Sequence, residues 1–98
     1  MSRLLLRLYV AGDAPNSVAA RANLQRLLAP YGPGAYSVEI VDCLRQPMRA
    51  LQEGVLVTPM LVRLEPGPAR TIIGSLSEGP RVLETLGLET PAAVKEDA

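Results

Sequence analysis

The chain of 98 residues contains no histidine, tryptophan or phenylalanine, and Cys43 is its single cysteine. Without histidine, imidazole acid–base catalysis, serine or cysteine triads and most zinc sites are excluded. Three tyrosines are the only aromatic residues, so the chain lacks a platform for stacking nucleic-acid bases. One cysteine excludes an internal disulfide and is typical of a reducing compartment. We interpret Cys43 as a buried, inert thiol.

An excess of charge of one sign is also missing, because ten basic residues balance ten acidic ones. A neutral chain has no global field that attracts nucleic acid or an anionic membrane. The apolar run from Leu4 to Val10 contains Arg7 and is too short for a signal peptide or a membrane span. No Gly-x-Gly-x-x-Gly or Walker-type loop occurs. We therefore expect a cytoplasmic protein without catalytic residues, cofactor or metal, binding neither nucleic acid nor membrane.

The apolar residues, 48% of the chain, predict a single α/β domain over residues 1–89. Leu4 to Val10 is apolar on both faces, which is typical of a central strand in a covered sheet. Helical spacing follows from Val18 to Tyr31, with Pro15 in the first turn. Tyr36 to Asp42 alternates as a second strand, and a strand–helix–strand order of this length predicts a parallel pair.

The second half has a weaker pattern, and its short apolar runs 55–62 and 82–88 fit either a helix or a strand. Met48 and Met60 are interpreted as residues that fill gaps in the core. Residues 90–98 are expected to be a disordered tail. The predicted elements are a helix from Pro47 to Glu53, strands from Met60 to Leu64 and from Arg70 to Ile73, and a helix with Pro80 in its first turn and Gly87 at its end.

The resulting order, βαβαββα, is that of thioredoxin-like proteins, whose loop after the first strand carries a redox Cys-x-x-Cys. Here that loop reads Ala14-Pro15-Asn16-Ser17, which favours a binding module over an oxidoreductase. Cys43 lies far from this loop, so an enzyme that uses it is disfavoured. Thr58-Pro59 stands where those proteins have a Thr-Pro pair, and Pro59 is either cis or a trans proline that starts an edge strand. The isomers of Pro66 and Pro68 are also open.

Four blocks of sequence follow the order and spacing of one family from about Leu4 to Leu86. The blocks are Leu6-Arg-Leu-Tyr-Val-Ala-Gly-Asp-Ala-Pro-Asn-Ser17, Ile40-Val-Asp-Cys-Leu-Arg-Gln-Pro47, Val57-Thr-Pro59 and Pro66-Gly-Pro-Ala-Arg-Thr-Ile-Ile-Gly-Ser-Leu-Ser77. In these blocks the chain resembles the KaiB family of circadian-clock proteins. The resemblance implies a regulator without catalysis that binds a KaiC-like ATPase, competes with a sensor kinase for it and helps to sequester a KaiA-like activator.

The resemblance also implies two folds, a tetrameric βαββααβ form and a thioredoxin-like monomer that binds the ATPase, with the second half remade between them. The family's Gly-Asp-Leu-Ser reads Gly74-Ser-Leu-Ser77 here. Pro80 suits the first turn of a short helix and is awkward in a longer one spanning Leu76–Leu86. We therefore expect Pro59, Gly74 and Pro80 to determine the fold. The monomer is favoured, with a tetramer or dimer as the alternative.

By the same resemblance, the partner-binding residues are Arg7 on the first strand and Asn16 and Ser17 at the helix start. They also have a purely structural interpretation, in which Arg7 is a solvated charge and the other two cap a helix. Three positions depart from basic residues of the family: Ala19, Ala22 and Glu39. Two hypotheses follow, a regulator of a KaiC-like ATPase and a divergent KaiB-like module for another partner, such as a sensor kinase or a stress pathway. The three departures favour the second.

Overall fold

The computed structural model describes residues 3–89, so the predicted tail 90–98 lies outside the described residues. The elements are β1 (Leu4–Val10), α1 (Pro15–Leu28) with a 3-10 turn (Ala29–Tyr31), β2 (Tyr36–Asp42), α2 (Pro47–Gln52), β3 (Met60–Glu65), β4 (Arg70–Ile73) and α3 (Gly79–Leu86). This confirms the predicted order βαβαββα and the thioredoxin-like fold. The alternative order βαββααβ is not the arrangement in this structure.

The four strands form one mixed sheet in the order β2-β1-β3-β4. As predicted, β1 and β2 are parallel, whereas β1 with β3 and β3 with β4 are antiparallel. The central place of β1 agrees with its apolar residues on both faces, because a central strand is covered on both sides.

One face of the sheet carries the core and is covered by α1 and α3. Alternate residues of β1 point toward these helices, since successive side chains of a strand lie on opposite faces. The core is almost wholly aliphatic, as the composition predicts. Its buried members are Leu4, Leu6, Leu8, Val10, Ala20, Leu24, Leu28, Leu61, Leu76, Val82 and Leu86.

The other face of the sheet carries Leu5, Arg7 and Tyr9 of β1 and lies under the short helix α2. Tyr9 is buried there, whereas Leu5 is 38% exposed. A helix of six residues cannot cover a four-stranded sheet, so part of this face remains open to solvent. We call it the α2 face.

The helix starts confirm the predicted prolines but not the predicted caps. Pro15 and Pro80 lie in the first turns of α1 and α3. Ala14 is the N-cap residue of α1 and makes no side-chain capping bond. The capping interpretation of Ser17 is wrong because its side chain is turned inward, where its Oγ accepts a hydrogen bond from the Ala11 N–H at 3.0 Å.

The structure defines the secondary structure of the two segments in the second half that the sequence left open between helix and strand. Residues 55–57 belong to neither a helix nor a strand, and 82–86 form part of α3. The peptide bonds that precede Pro59, Pro66 and Pro68 are all cis, which confirms the cis interpretation of Pro59. No helix within residues 3–89 combines the length and apolarity needed to cross a bilayer.

Candidate protein-interaction surface

A ring of four charged side chains lies on the α2 face. The parallel register places Arg7 opposite Glu39 of β2, and the Arg7 Nε donates to Glu39 Oε1 at 2.8 Å. Helical spacing brings Arg49 to Glu53, with Nε to Oε2 at 2.8 Å. Arg49 also donates to Glu39 at 2.9 and 3.0 Å, and Arg7 reaches Glu53 at 3.3 Å. Each arginine therefore contacts both glutamates, and we call this neutral ring the charge cluster.

Electrostatics keep the charge cluster fully ionised at neutral pH. The guanidinium groups of Arg49 and then Arg7 lower the pKa of Glu39 to about 2. The Tyr9 hydroxyl donates to Glu53, and this bond, followed by the one from Arg49, lowers the pKa of Glu53. Burial raises the pKa of Tyr9, so its hydroxyl remains a donor. The cluster thus ties α2 to β1 and β2 through charge-assisted hydrogen bonds, which are stronger than neutral ones.

Three exposed apolar side chains on α2 and on the turn that precedes it form a second feature. Leu44, Met48 and Leu51 are 70%, 64% and 70% exposed, and we call them the apolar cluster. Met48 and Leu51 are three residues apart on α2 and share a face. The interpretation of Met48 as a core residue is wrong. Ala50 is the buried residue of α2, and Met48 lies on the outer side of the helix.

The apolar cluster adjoins the loop that follows β1. A Cβ atom placed on Gly12 would lie 3.0 Å from the Leu44 Cδ1. The Asp42 Oδ1 accepts hydrogen bonds from the Gly12 and Leu44 N–H groups at 3.1 and 3.0 Å. One carboxylate thus holds the loops after β1 and β2 together, so the two loops present a continuous surface.

The structure does not bring the three predicted partner-binding residues together. Arg7 lies on the α2 face within the charge cluster. Asn16 is exposed in the first turn of α1, and α1 covers the opposite face of the sheet. Ser17 is 1% exposed, so its position allows it to hold the loop in place rather than to touch a partner.

Most residues of this surface were not predicted from the sequence. The spacing of Arg49 and Glu53, four residues apart on a short helix, is a signal that could have paired them. The contact of that pair with Arg7 and Glu39 has no signal in the sequence, because it depends on where α2 crosses the sheet. The missed residues are Tyr9, Leu44, Arg49, Leu51 and Glu53.

Two predictions for Cys43 are wrong: it is not fully buried, and it does not lie far from the loop after β1, because its N–H donates to the Val10 oxygen at 2.8 Å. The side chain is half-buried, and burial, followed by the charges of Asp42 and Glu53, raises the pKa of its thiol. A protonated thiol is a poor nucleophile. Within residues 3–89, no group of three or more His, Cys, Asp or Glu side chains is placed to hold a metal ion.

The fold is similar to that of thioredoxin-like domains of known structure. The solution structure of the N-terminal domain of SasA from Synechococcus elongatus superposes with a TM-score of 0.69 at 23% identity, covering 93% of this chain and 90% of that one. A crystal structure of chloroplastic thioredoxin z superposes with a TM-score of 0.73 at 18% identity, covering 87% and 76%. At these identities the likeness concerns the fold alone.

Similarity in sequence identifies a more specific group of relatives than the similarity in fold does. The family model described as "KaiB domain" matches residues 7–88. The circadian clock oscillator protein KaiB of Nostoc sp. strain PCC 7120 is 41% identical over 93 residues, which are 95% of this chain and 86% of that protein. The protein of the same name from Synechococcus sp. strain RCC307 is 43% identical over 84 residues, covering 86% and 76%. The chain therefore belongs to the KaiB family of circadian-clock proteins.

Proposed function

We propose that this protein is a non-catalytic cytoplasmic regulator that binds a KaiC-like ATPase and modulates its assembly or output. The observation that carries the proposal is the apolar cluster, in which Leu44, Met48 and Leu51 are each more than 60% exposed. Several large apolar side chains exposed within one short segment of the chain are typical of a protein-interaction surface. Membership of the KaiB family supports a clock ATPase as the partner.

The neighbouring residues support this surface in different ways. The charge cluster holds α2 on the sheet, so Met48 and Leu51 are presented on a fixed helix. The hydrogen bond from the Ala11 N–H to Ser17 fixes the start of α1, and Asn16 lies exposed beside it as a polar contact. Arg7 contributes to binding through α2, because its guanidinium is engaged by Glu39 and Glu53. A KaiA-like activator would join such a complex, and a sensor kinase would compete for it.

A titration with the KaiC-like ATPases of the host, in ATP and in ADP, tests the proposal. We expect saturable binding of the wild-type chain. Leu51→Gln should weaken it at least about tenfold, as expected for a central interface residue. Ile73→Gln is the matched control, because Ile73 is also 62% exposed but lies on β4. It should change the affinity less than about twofold, since most interface-independent positions have little effect.

Circular dichroism should show that both variants unfold as the wild type does, since exposed side chains contribute little to stability. No binding to any host ATPase in either nucleotide would contradict the proposal. Equal weakening by both substitutions would contradict the assigned surface.

A second candidate function is a KaiB-like interaction module for a different partner, such as a sensor kinase or a stress-signalling protein. The observation that favours it is the neutrality of the charge cluster. Glu39 pairs with both Arg7 and Arg49, so this face offers no excess positive charge to an acidic partner. A pull-down from host lysate that retains a kinase but no KaiC-like ATPase, and loses it with Leu51→Gln, would select this function.

A further inference from the structure

Arg63 is a buried cation without a carboxylate partner. The register of β3 with β1 pairs Arg63 with Leu6, which directs it toward the α1 and α3 side of the sheet. The residue is 9% exposed. Its guanidinium donates to the main-chain oxygens of Leu86 at 3.1 Å and Pro68 at 3.2 Å. Among residues 3–89 its buried Nε has no hydrogen-bond partner, and no acidic side chain pairs with it.

Such an arrangement leaves positive charge in a poorly solvated place. A buried charge is costly unless it is paired and fully hydrogen-bonded. The two carbonyl groups satisfy part of the guanidinium, and the carbonyl end of α3 carries a partial negative charge. These partners supply no full negative charge, so an anion would find a favourable position here.

A cavity of about 370 Å³ adjoins Arg63. Its lining includes a second cation, Arg3, and the backbone of Gly34 and Gly87, and it contains no aspartate or glutamate. The Arg3 side chain is exposed and makes long contacts of 3.3 and 3.4 Å with the Tyr36 main-chain oxygen. Neither arginine of the cavity is therefore neutralised by a side chain that the structure describes.

We propose that this cavity binds a phosphate group between Arg3 and Arg63. The guanidinium N–H groups that the main-chain oxygens leave unused are suited to donate to phosphate oxygens. Two positive charges with no aspartate or glutamate in the cavity lining favour a dianion over a monoanion such as a carboxylate. The volume of the cavity accommodates a phosphate together with ordered water.

The phosphate site is separate from the interaction surface. Leu4 at the start of β1 lines the cavity, whereas Val10 at its end leads into the loop that adjoins the apolar cluster. A strand of this length spans about 20 Å. The result of a test of the phosphate site therefore does not depend on whether the proposed partner is correct.

The test is a titration of the full chain with inorganic phosphate, with sodium chloride replaced to keep the ionic strength constant. We expect saturable shifts of the backbone amide signals of Gly34, Ala35, Gly87 and Leu88, and a rise in the unfolding midpoint that follows the occupancy. Arg3→Gln should weaken binding about tenfold, because it removes a charged donor. Arg81→Gln is the control, since Arg81 is an exposed arginine on α3, and it should leave the affinity unchanged.

Arg63→Met should abolish binding, and if that variant does not fold, Arg3→Gln carries the test. A second titration uses glycerol 3-phosphate. If it binds more tightly than inorganic phosphate, the ligand is a phosphomonoester, and if it binds more weakly, the ligand is free phosphate. Any one of three results would overturn the proposal. These are shifts that do not saturate, an Arg3→Gln affinity equal to that of the wild type, and binding of acetate that is tighter than binding of phosphate.

Discussion

Glu39 determines the electrostatic character of the α2 face. It is the shared acceptor of Arg7 and Arg49, and without its charge both arginines would depend on Glu53 alone. The resemblance to the KaiB family implies a basic residue where this chain has Glu39 on the second strand. The consequence of this charge becomes clear only with Arg49 beside it, because one carboxylate on β2 and one at the C-cap of α2 together neutralise both cations.

The low pKa of Glu39 predicts a specific loss of stability in acid. The folded pKa of about 2 lies below the usual value of 4.5, so the folded state favours the charged form. Its contribution is therefore fully present above pH 4.5 and is lost as the pH falls through about 2. We expect the urea midpoint of the wild type to decline over this range, and Glu39→Gln to show a smaller decline from a lower starting value.

Circular dichroism at a series of pH values measures this effect. Glu84→Gln, which removes an exposed carboxylate of α3, should leave the decline unchanged. If Glu39→Gln also follows the wild-type curve, the charge cluster does not stabilise the fold.

At the scale of elements, the connection between β4 and α3 carries the most unusual backbone. Gly74 has φ 112° and Leu76 has φ 63°. Leu76 is nevertheless buried in the core, so its apolar contacts offset the cost of the left-handed conformation. The role of Gly74 in fold determination stays a prediction, and its backbone is one that other residues rarely adopt.

We therefore expect Gly74→Ala to lower the free energy of unfolding by about 1–3 kcal/mol, the cost of a strained backbone. The effect would come from the backbone alone, because an added Cβ meets no atom within 4 Å. Gly34→Ala is the matched control, since it also has open space but no left-handed φ. Urea unfolding of both variants measures the difference, and equal stabilities would show that φ at Gly74 relaxes without cost.

The element order was predictable because it depends on local patterns. Apolar alternation, helical spacing, prolines in first turns and glycines at helix ends all involve residues that are neighbours in the sequence. Examples are Pro15, Pro80 and Gly87. The helix caps were not predictable, because the inward rotation of Ser17 depends on the Ala11 N–H that it meets. The ambiguity of residues 55–62 and 82–88 arose because short apolar runs suit either type of element.

At the scale of the whole molecule, we expect a monomer. Pro80 is accommodated in the first turn of α3, where its missing N–H costs no hydrogen bond. A longer helix through this position would lose one and clash with the preceding turn. This arrangement favours the thioredoxin-like state over an alternative that extends the helix.

Size-exclusion chromatography with light scattering at micromolar concentration should give the mass of one chain. Pro80→Ala should shift the population toward larger species if the proline opposes the longer helix. A stable wild-type tetramer at this concentration would contradict the expectation.

The sequence by itself determined the order of elements, the aliphatic core, the central strand and the family, because each is encoded in residues close together along the chain. The tertiary structure decided that Glu39 is neutralised, that Met48 is exposed, that Ser17 faces inward and that Arg63 is buried at a cavity that Arg3 also lines. These properties depend on which distant elements meet. Contacts between segments far apart in sequence, which no local pattern specifies, decide the charge and exposure of a side chain.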